Sequence, residues 1–260
     1  MNIAAFFDID GTLVPPPSLE RRFLRYLRWR GEVRVSNYLR WLKEFLGPMS
    51  RRNGSATLST GAGAPRGWAT IIAQNKAYLA GVPVPSMDAW LCWLARHPME
   101  LVPAALRRIQ WHARQGHMIF LLSGTLAPLA RAVAQRIPVA VEVCATQLEM
   151  EGGRFSGRVC GEAVCGPAKA RAMERLATKI SFDLARSYAY GDSFADRWML
   201  ARVGTPFVVQ TTNSISWRLA WLAQQQGWLV LRWGETHKDE KFHHRGTEDT
   251  ERNQSSMQCR

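Results

Sequence analysis

Asp8 and Asp10 flank a single isoleucine at the end of a short apolar run, and Gly11 and Thr12 follow at once. Two neighbouring carboxylates repel each other, and burying even one without a partner is costly. Other apolar runs also end in chemistry-bearing residues. "HMIFLLSGT" ends in Ser123, Gly124 and Thr125; "SYAYGDS" ends in Gly191, Asp192 and Ser193, with Asp196 a turn later. Lys169 stands in the first turn of a segment opened by Gly166 and Pro167. Taken singly, each has a plain structural reading as a helix cap, a turn hydroxyl or a solvated lysine. Taken together, they gather carboxylates, a hydroxyl and a lysine at strand ends, where open α/β sheets bind ligands.

The elements that must position these residues follow from periodicity. Residues 3–9 read as a first strand, and 117–125, 139–150, 187–193, 206–210 and 228–233 as further short strands. "EGGRFSGRV" reads as a turn and short hairpin. Helical spacing covers 18–46, with Gly31 separating two helices, and resumes at 68–80, 86–96, 103–115 and 166–179. Pro167 takes the favoured first position of the last of these. Strands alternating with helices over 100–233 predict a parallel sheet covered on both faces. The expected fold class is therefore α/β: a Rossmann-like parallel-sheet core with a helical cap inserted after the first strand. Residues 1–14 and 99–233 form the expected core, and 15–98 the cap, with a mobile loop near 47–67. The polar tail, 234–260, is expected to be disordered.

The chain has 260 residues and a net charge of +13. The last 27 residues carry five Lys/Arg and six Asp/Glu, so the rest holds +14. Residues 18–52 carry ten Lys/Arg against three Asp/Glu, which is half of that excess. A field of this sign concentrates anions: phosphorylated metabolites, acidic lipid headgroups or nucleic acid. In "RRFLRYLRWRGEVRVSNYLRWLKEF" arginines interleave with aromatics. The plain reading is a helix pair with its aromatic face inward and its arginines solvated. An acidic membrane surface is a further partner class that this face fits, and nucleic acid fits it less well. No apolar run reaches the length of a membrane span, and no basic leader precedes the first strand. The five cysteines form no CxxC pair. Free thiols in a reducing cytoplasm are the expectation, and the oligomeric state is left open.

"DIDGTLV", "LLSGT", the lysine of "GPAKA" and "GDSFAD" resemble, in this order, the four motifs of the haloacid dehalogenase superfamily of phosphatases. The resemblance covers residues 3 to about 233. "QLEMEGGRFSGRV" through "WLVLRW", with helices inserted after the first strand, is similar to the phosphoserine-phosphatase-like branch. The resemblance implies a Mg²⁺-dependent phosphomonoester hydrolase that acts on a small phosphorylated metabolite through an aspartyl-phosphate. Asp8 is the implied nucleophile and Asp10 the implied general acid and base. Asp8, Asp10 through its backbone carbonyl, and Asp192 are the implied Mg²⁺ ligands, with Asp196 bracing them. Ser123 and the amide of Gly124 would bond phosphoryl oxygens, and Lys169 would neutralise Asp8 and the transferring group. A phosphotransferase or mutase would keep the same residues. A basic membrane- or nucleic-acid-binding protein with a degenerate site would not need them. Three departures stand out. Phosphoserine phosphatases usually carry Ser at the position of Gly11 and Asn at that of Ala195. They also carry a glutamate for the substrate amine at a spacing from which Glu20 is displaced. Phosphoserine is therefore not carried over as the substrate.

Overall fold

A computed structural model describes residues 2–50, 75–211 and 216–233. Its first strand, β1 (Ala4–Phe7), is apolar on both faces and fully buried, as a strand covered on both sides must be. Next come α1 (Leu19–Trp29), α2 (Val35–Ser50), α3 (Val84–Arg96) and α4 (Pro103–Arg114). The chain then alternates through β2 (Met118–Leu126), α5 (Ala127–Ala134) and β3 (Glu142–Thr146), followed by the hairpin β4 (Leu148–Glu151) and β5 (Arg154–Val159). It continues with α6 (Pro167–Ile180), β6 (Tyr188–Gly191), α7 (Arg197–Leu200), β7 (Thr205–Gln210), α8 (Trp217–Gln226) and β8 (Leu229–Arg232).

Six strands form one sheet in the order β3-β2-β1-β6-β7-β8, and every pairing is parallel. Strand order reverses between β1 and β6, so the carboxyl ends of those two strands flank the crevice where such sheets bind ligands. Alternation along β1 sends Ala5 and Phe7 to one apolar layer and Ala4 and Phe6 to the other. Phe7, Tyr190 and Phe207, in register on β1, β6 and β7, stack at 4.4 and 4.9 Å between ring centroids. The Tyr190 hydroxyl accepts from Arg108 Nε at 2.7 Å and lies 2.8 Å from His112 Nε2. His112 Nδ1 lies 2.8 Å from His117 Nδ1. Burial first, then Arg108 and His117, pushes His112 down to about 2. A neutral His112 can accept from Tyr190 and donate to His117, so the network is satisfied without an extra proton. It pins α4 to β6.

The apolar layer on the Phe7 side continues into α1 and α3. Leu19, Phe23 and Leu27, one helical face of α1, are fully buried, and Phe23 meets Trp90 edge-on at 5.5 Å. Burial of such side chains contributes about 1.5–3 kcal/mol each.

The structure departs from the sequence expectations in four places. The strand expected over 139–150 is two strands. Thr146 is buried, and its hydroxyl donates to the Gly124 carbonyl at 2.9 Å and accepts from the Val164 amide at 3.1 Å. The chain leaves the sheet there, and β4 pairs antiparallel with β5. The helix expected over 68–80 is, in its described part, a single 3-10 turn at Ala77–Leu79. The Asn75 carboxamide accepts from the Ala77 amide at 3.1 Å, a local bond that competes with helix propagation. Residues 47–50, expected in the loop, are the last turn of α2, which runs to Ser50; 51–67 lie outside the described residues, as does the 234–260 tail. Finally, α5 is a short helix that the sequence pattern does not single out. No helix among the described residues is long and apolar enough to cross a membrane.

Candidate active site

The ladder bond from the Asp8 amide to the Tyr190 carbonyl, 2.9 Å, is the last that ties this chain end to β6. A tight turn follows at once. The Ile9 carbonyl accepts from the amides of Leu13 and Val14 at 2.8 and 2.9 Å, and Gly11 donates to Val14 at 2.8 Å. Gly11 adopts φ +89°, and a Cβ there would lie 2.1 Å from Asp192 Oδ2. Glycine is thus required by both backbone and space. The Ser found here in phosphoserine phosphatases cannot be accommodated in this geometry without movement of Asp192.

β6 presents the next carboxylates. Asp192 Oδ1 accepts from the Thr12 hydroxyl at 3.3 Å. Asp196 is fully buried, and its Oδ2 accepts from the Ser193 amide and hydroxyl at 3.0 and 2.6 Å. Lys169, buried in the first turn of α6, donates to Asp8 Oδ1 at 2.6 Å and to Asp196 Oδ1 at 2.5 Å. Residues far apart in sequence therefore share one ammonium at the strand-order reversal.

One lysine does not balance this much negative charge. Burial, then Asp196 and Asp192, holds Asp8 well above the usual carboxylate range against the pull of Lys169. Burial, then Asp196, pushes Asp192 up to about 7. Burial alone would lower the Lys169 pKa; Asp196 and Asp8 outweigh it and raise it. One oxygen from each of Asp8, Asp192 and Asp196 lies within 4.8 Å of the others. An all-oxygen set with excess negative charge fits Mg²⁺. The Asp10 carboxylate stands outside this group. Its Oδ1 accepts from the Leu19 amide at 2.7 Å. Burial raises its pKa, the Leu19 amide opposes that, and Glu20 adds to it.

On β2, Ser123 is buried and its hydroxyl accepts from the Thr125 amide at 3.3 Å. The strand register shifts between Ser123 and Leu126. The Thr125 side chain is buried and acts on the Asp10 carboxylate, helping to lower its pKa. Asp8, Asp10, Ser123, Gly124, Thr125, Lys169 and Asp196 all line one cavity of about 690 Å³. Glu20, Lys76 and Tyr78 line it as well, so Glu20, set aside on spacing, belongs to the site. It follows directly on the residue whose amide holds Asp10, a proximity that helix phase could have signalled. Lys76 carries no such signal, whereas Thr125 closes the same apolar run as Ser123.

The model of the haloacid dehalogenase-like hydrolase family matches residues 5–201. The chain belongs to this family. Within it, the chain stands on the phosphoserine-phosphatase-like branch. It is 28% identical over 232 residues to phosphoserine phosphatase SerB1 of Mycobacterium tuberculosis, covering 88% of this chain and 70% of that one. A phosphoserine phosphatase of Streptomyces coelicolor is 31% identical over 128 residues, 49% of this chain and 30% of the other. The haloacid dehalogenase-like fold is shared with a Bordetella pertussis protein of unknown function at TM-score 0.66 and 23% identity, over 89% of this chain and 99% of that one. It is also shared with a phosphoserine phosphatase solved as a phospho-aspartyl intermediate analogue, at TM-score 0.53 and 16% identity, over 80% and 86% of the two chains.

Proposed function

We propose that this hydrolase is a phosphatase that removes the phosphoryl group from a small phosphomonoester through an aspartyl-phosphate on Asp8. The observation that carries the reading is the buried Lys169 ammonium, 2.6 Å from Asp8 and 2.5 Å from Asp196, at a cavity that also holds Asp10. An unreactive core gains nothing from such a cluster, because buried charge is costly.

In the proposed reaction, Asp8 attacks phosphorus and the ester oxygen leaves. Asp10, whose burial favours its protonated form, gives that oxygen its proton. A water then attacks the aspartyl-phosphate, Asp10 takes the water's proton, and phosphate departs with Asp8 restored. Ser123, the Gly124 amide and Lys169 hold phosphoryl oxygens as charge shifts among them. Asp8, Asp192 and the backbone carbonyl of Asp10, with Asp196 bracing them, would hold Mg²⁺, which would supply positive charge against the carboxylates and the phosphoryl group.

Phosphate release from a panel of phosphorylated metabolites, with and without Mg²⁺, tests the reading. Asp8→Asn, equal in size but not a nucleophile, should lower kcat by about 1,000-fold or more while the protein stays folded. Turnover within about tenfold of wild type would remove Asp8 from that role.

A further inference from the structure

Above the carboxylates, one wall of the cavity carries a finished ion pair. Lys76 Nζ donates to both oxygens of Glu20, at 2.6 and 2.7 Å, and the Tyr78 hydroxyl donates to Glu20 Oε1. Lys76 is 5% exposed and Tyr78 9%. Neither partner reaches the wall by chance of rotamer. The 3-10 turn that carries Lys76 is tied to α2 through Asn37, which donates to the carbonyls of Tyr78 and Ala80 at 3.2 and 2.7 Å. Asn75 donates to the Trp41 carbonyl at 2.9 Å. Burial, then Glu20, raises the Tyr78 pKa, so the phenol keeps its proton to donate.

Beside this pair the wall is apolar, formed by Leu24, Tyr38 and Trp41. Arg21 lines the same cavity and is exposed. The wall therefore offers no free carboxylate. It offers a neutralised pair, aromatic surface and one cation.

We infer that the substrate is a phosphomonoester whose alcohol portion is uncharged and apolar, and that Lys76 occupies the place a substrate ammonium would need beside Glu20. This rests on the phosphatase reading given above. An ammonium entering here would have to displace Lys76, leaving a buried charge without its partner, and would meet Lys76 and Arg21 as like charges. An apolar alcohol would instead displace water from Leu24, Tyr38 and Trp41, a favourable exchange. The cavity, at about 690 Å³, has room for such a body beyond the phosphoryl group.

The full chain with Mg²⁺ is assayed for phosphate release from O-phosphoserine, hexyl phosphate and 1-naphthyl phosphate. The apolar esters should exceed phosphoserine in kcat/KM by about 100-fold or more. Lys76→Met frees Glu20 and should raise phosphoserine turnover relative to 1-naphthyl phosphate by about tenfold or more, and adding Glu20→Gln should cancel that gain. Trp41→Ala should raise KM for 1-naphthyl phosphate by about tenfold, more than it does for phosphoserine. Should Lys76→Met fail to fold, the wild-type ratio and the Trp41 variant still decide. A wild-type preference for phosphoserine, or a Trp41 variant with an unchanged KM for the aryl ester, overturns the inference and leaves the phosphatase reading standing. No Mg²⁺-dependent release from any of the three esters overturns the inference, and the same silence across the metabolite panel overturns the phosphatase reading with it.

Discussion

The Leu19 amide donates a 2.7 Å hydrogen bond to Asp10 Oδ1, so the first residue of α1 holds the second carboxylate of the DIDGT turn. The bond places one of the orphan donors of a helix start on the group proposed to exchange protons. It also favours the charged form of Asp10, against the effect of burial.

Leu19→Pro isolates that donor. Proline is favoured at the first helical position, and Ser18, at ψ 155°, already has the extended backbone that a following proline requires. Loss of the amide should raise the Asp10 pKa further, so the alkaline limb of the rate profile should move to higher pH. Leu19→Ala keeps the amide and loses only the buried side chain. It should lower the melting temperature without moving the profile. Equal profiles for both variants would detach Asp10 from α1.

Gly11→Ala places a Cβ about where Asp192 Oδ2 sits, at a φ that alanine resists. Asp192 must shift. The Mg²⁺ needed for half-maximal activity should rise by about tenfold or more, read by metal titration of phosphate release. An unaltered titration would show that Asp192 is not needed to hold the ion.

The raised pKa of Asp192, about 7 against 3.8 for an unperturbed carboxylate, fixes a sign. In chelator the native state binds the extra proton between these values. Its stability is therefore fully present below the lower value and falls as pH rises toward the upper one. Asp8 and Asp10, also raised, act in the same direction. Melting temperature in EDTA should drop between about pH 4 and 7, and Mg²⁺ should restore more of it at the upper end. A melting curve in EDTA that rises over this window would contradict the assignment.

Lys169→Met removes the ammonium shared by Asp8 and Asp196 while keeping most of its volume. Leaving buried carboxylates unpaired should cost about 3–5 kcal/mol, with activity lost. Acid should return part of the stability, because protonation relieves the same carboxylates. Denaturant melts at two pH values check both, and a variant as stable as wild type at neutral pH would mean the pair is not buried in solution.

The strand ends were legible because each chemistry-bearing residue closes an apolar run. Asp8, Ser123 and Asp192 are found that way, and a parallel sheet follows from α/β alternation, whereas the β1–β6 neighbourhood comes only from the structure. Lys76 was not legible. Its role depends on a 3-10 turn set by Asn75 and Asn37, where side-chain bonds override the helical pattern of the segment. Glu20 was missed for a related reason. Spacing along the chain measures distance from Asp10 in residues, whereas the Leu19–Asp10 bond sets it through space. The bend at Thr146 is likewise a side-chain effect, invisible in apolar alternation that runs straight through it.

β1 is bonded along both edges, to β2 and to β6. An amide so placed exchanges with solvent only through openings that part the whole sheet. Asp8 is anchored to that interior strand, and Asp10 to the end of a peripheral helix. Partial melting from the outside would therefore release Asp10, the proposed proton donor, first, while Asp8, the proposed phosphoryl acceptor, still stands in place. On the proposed mechanism, activity should be lost before Asp8 moves, and a protein trapped at that stage would accept a phosphoryl group less readily than it would retain one.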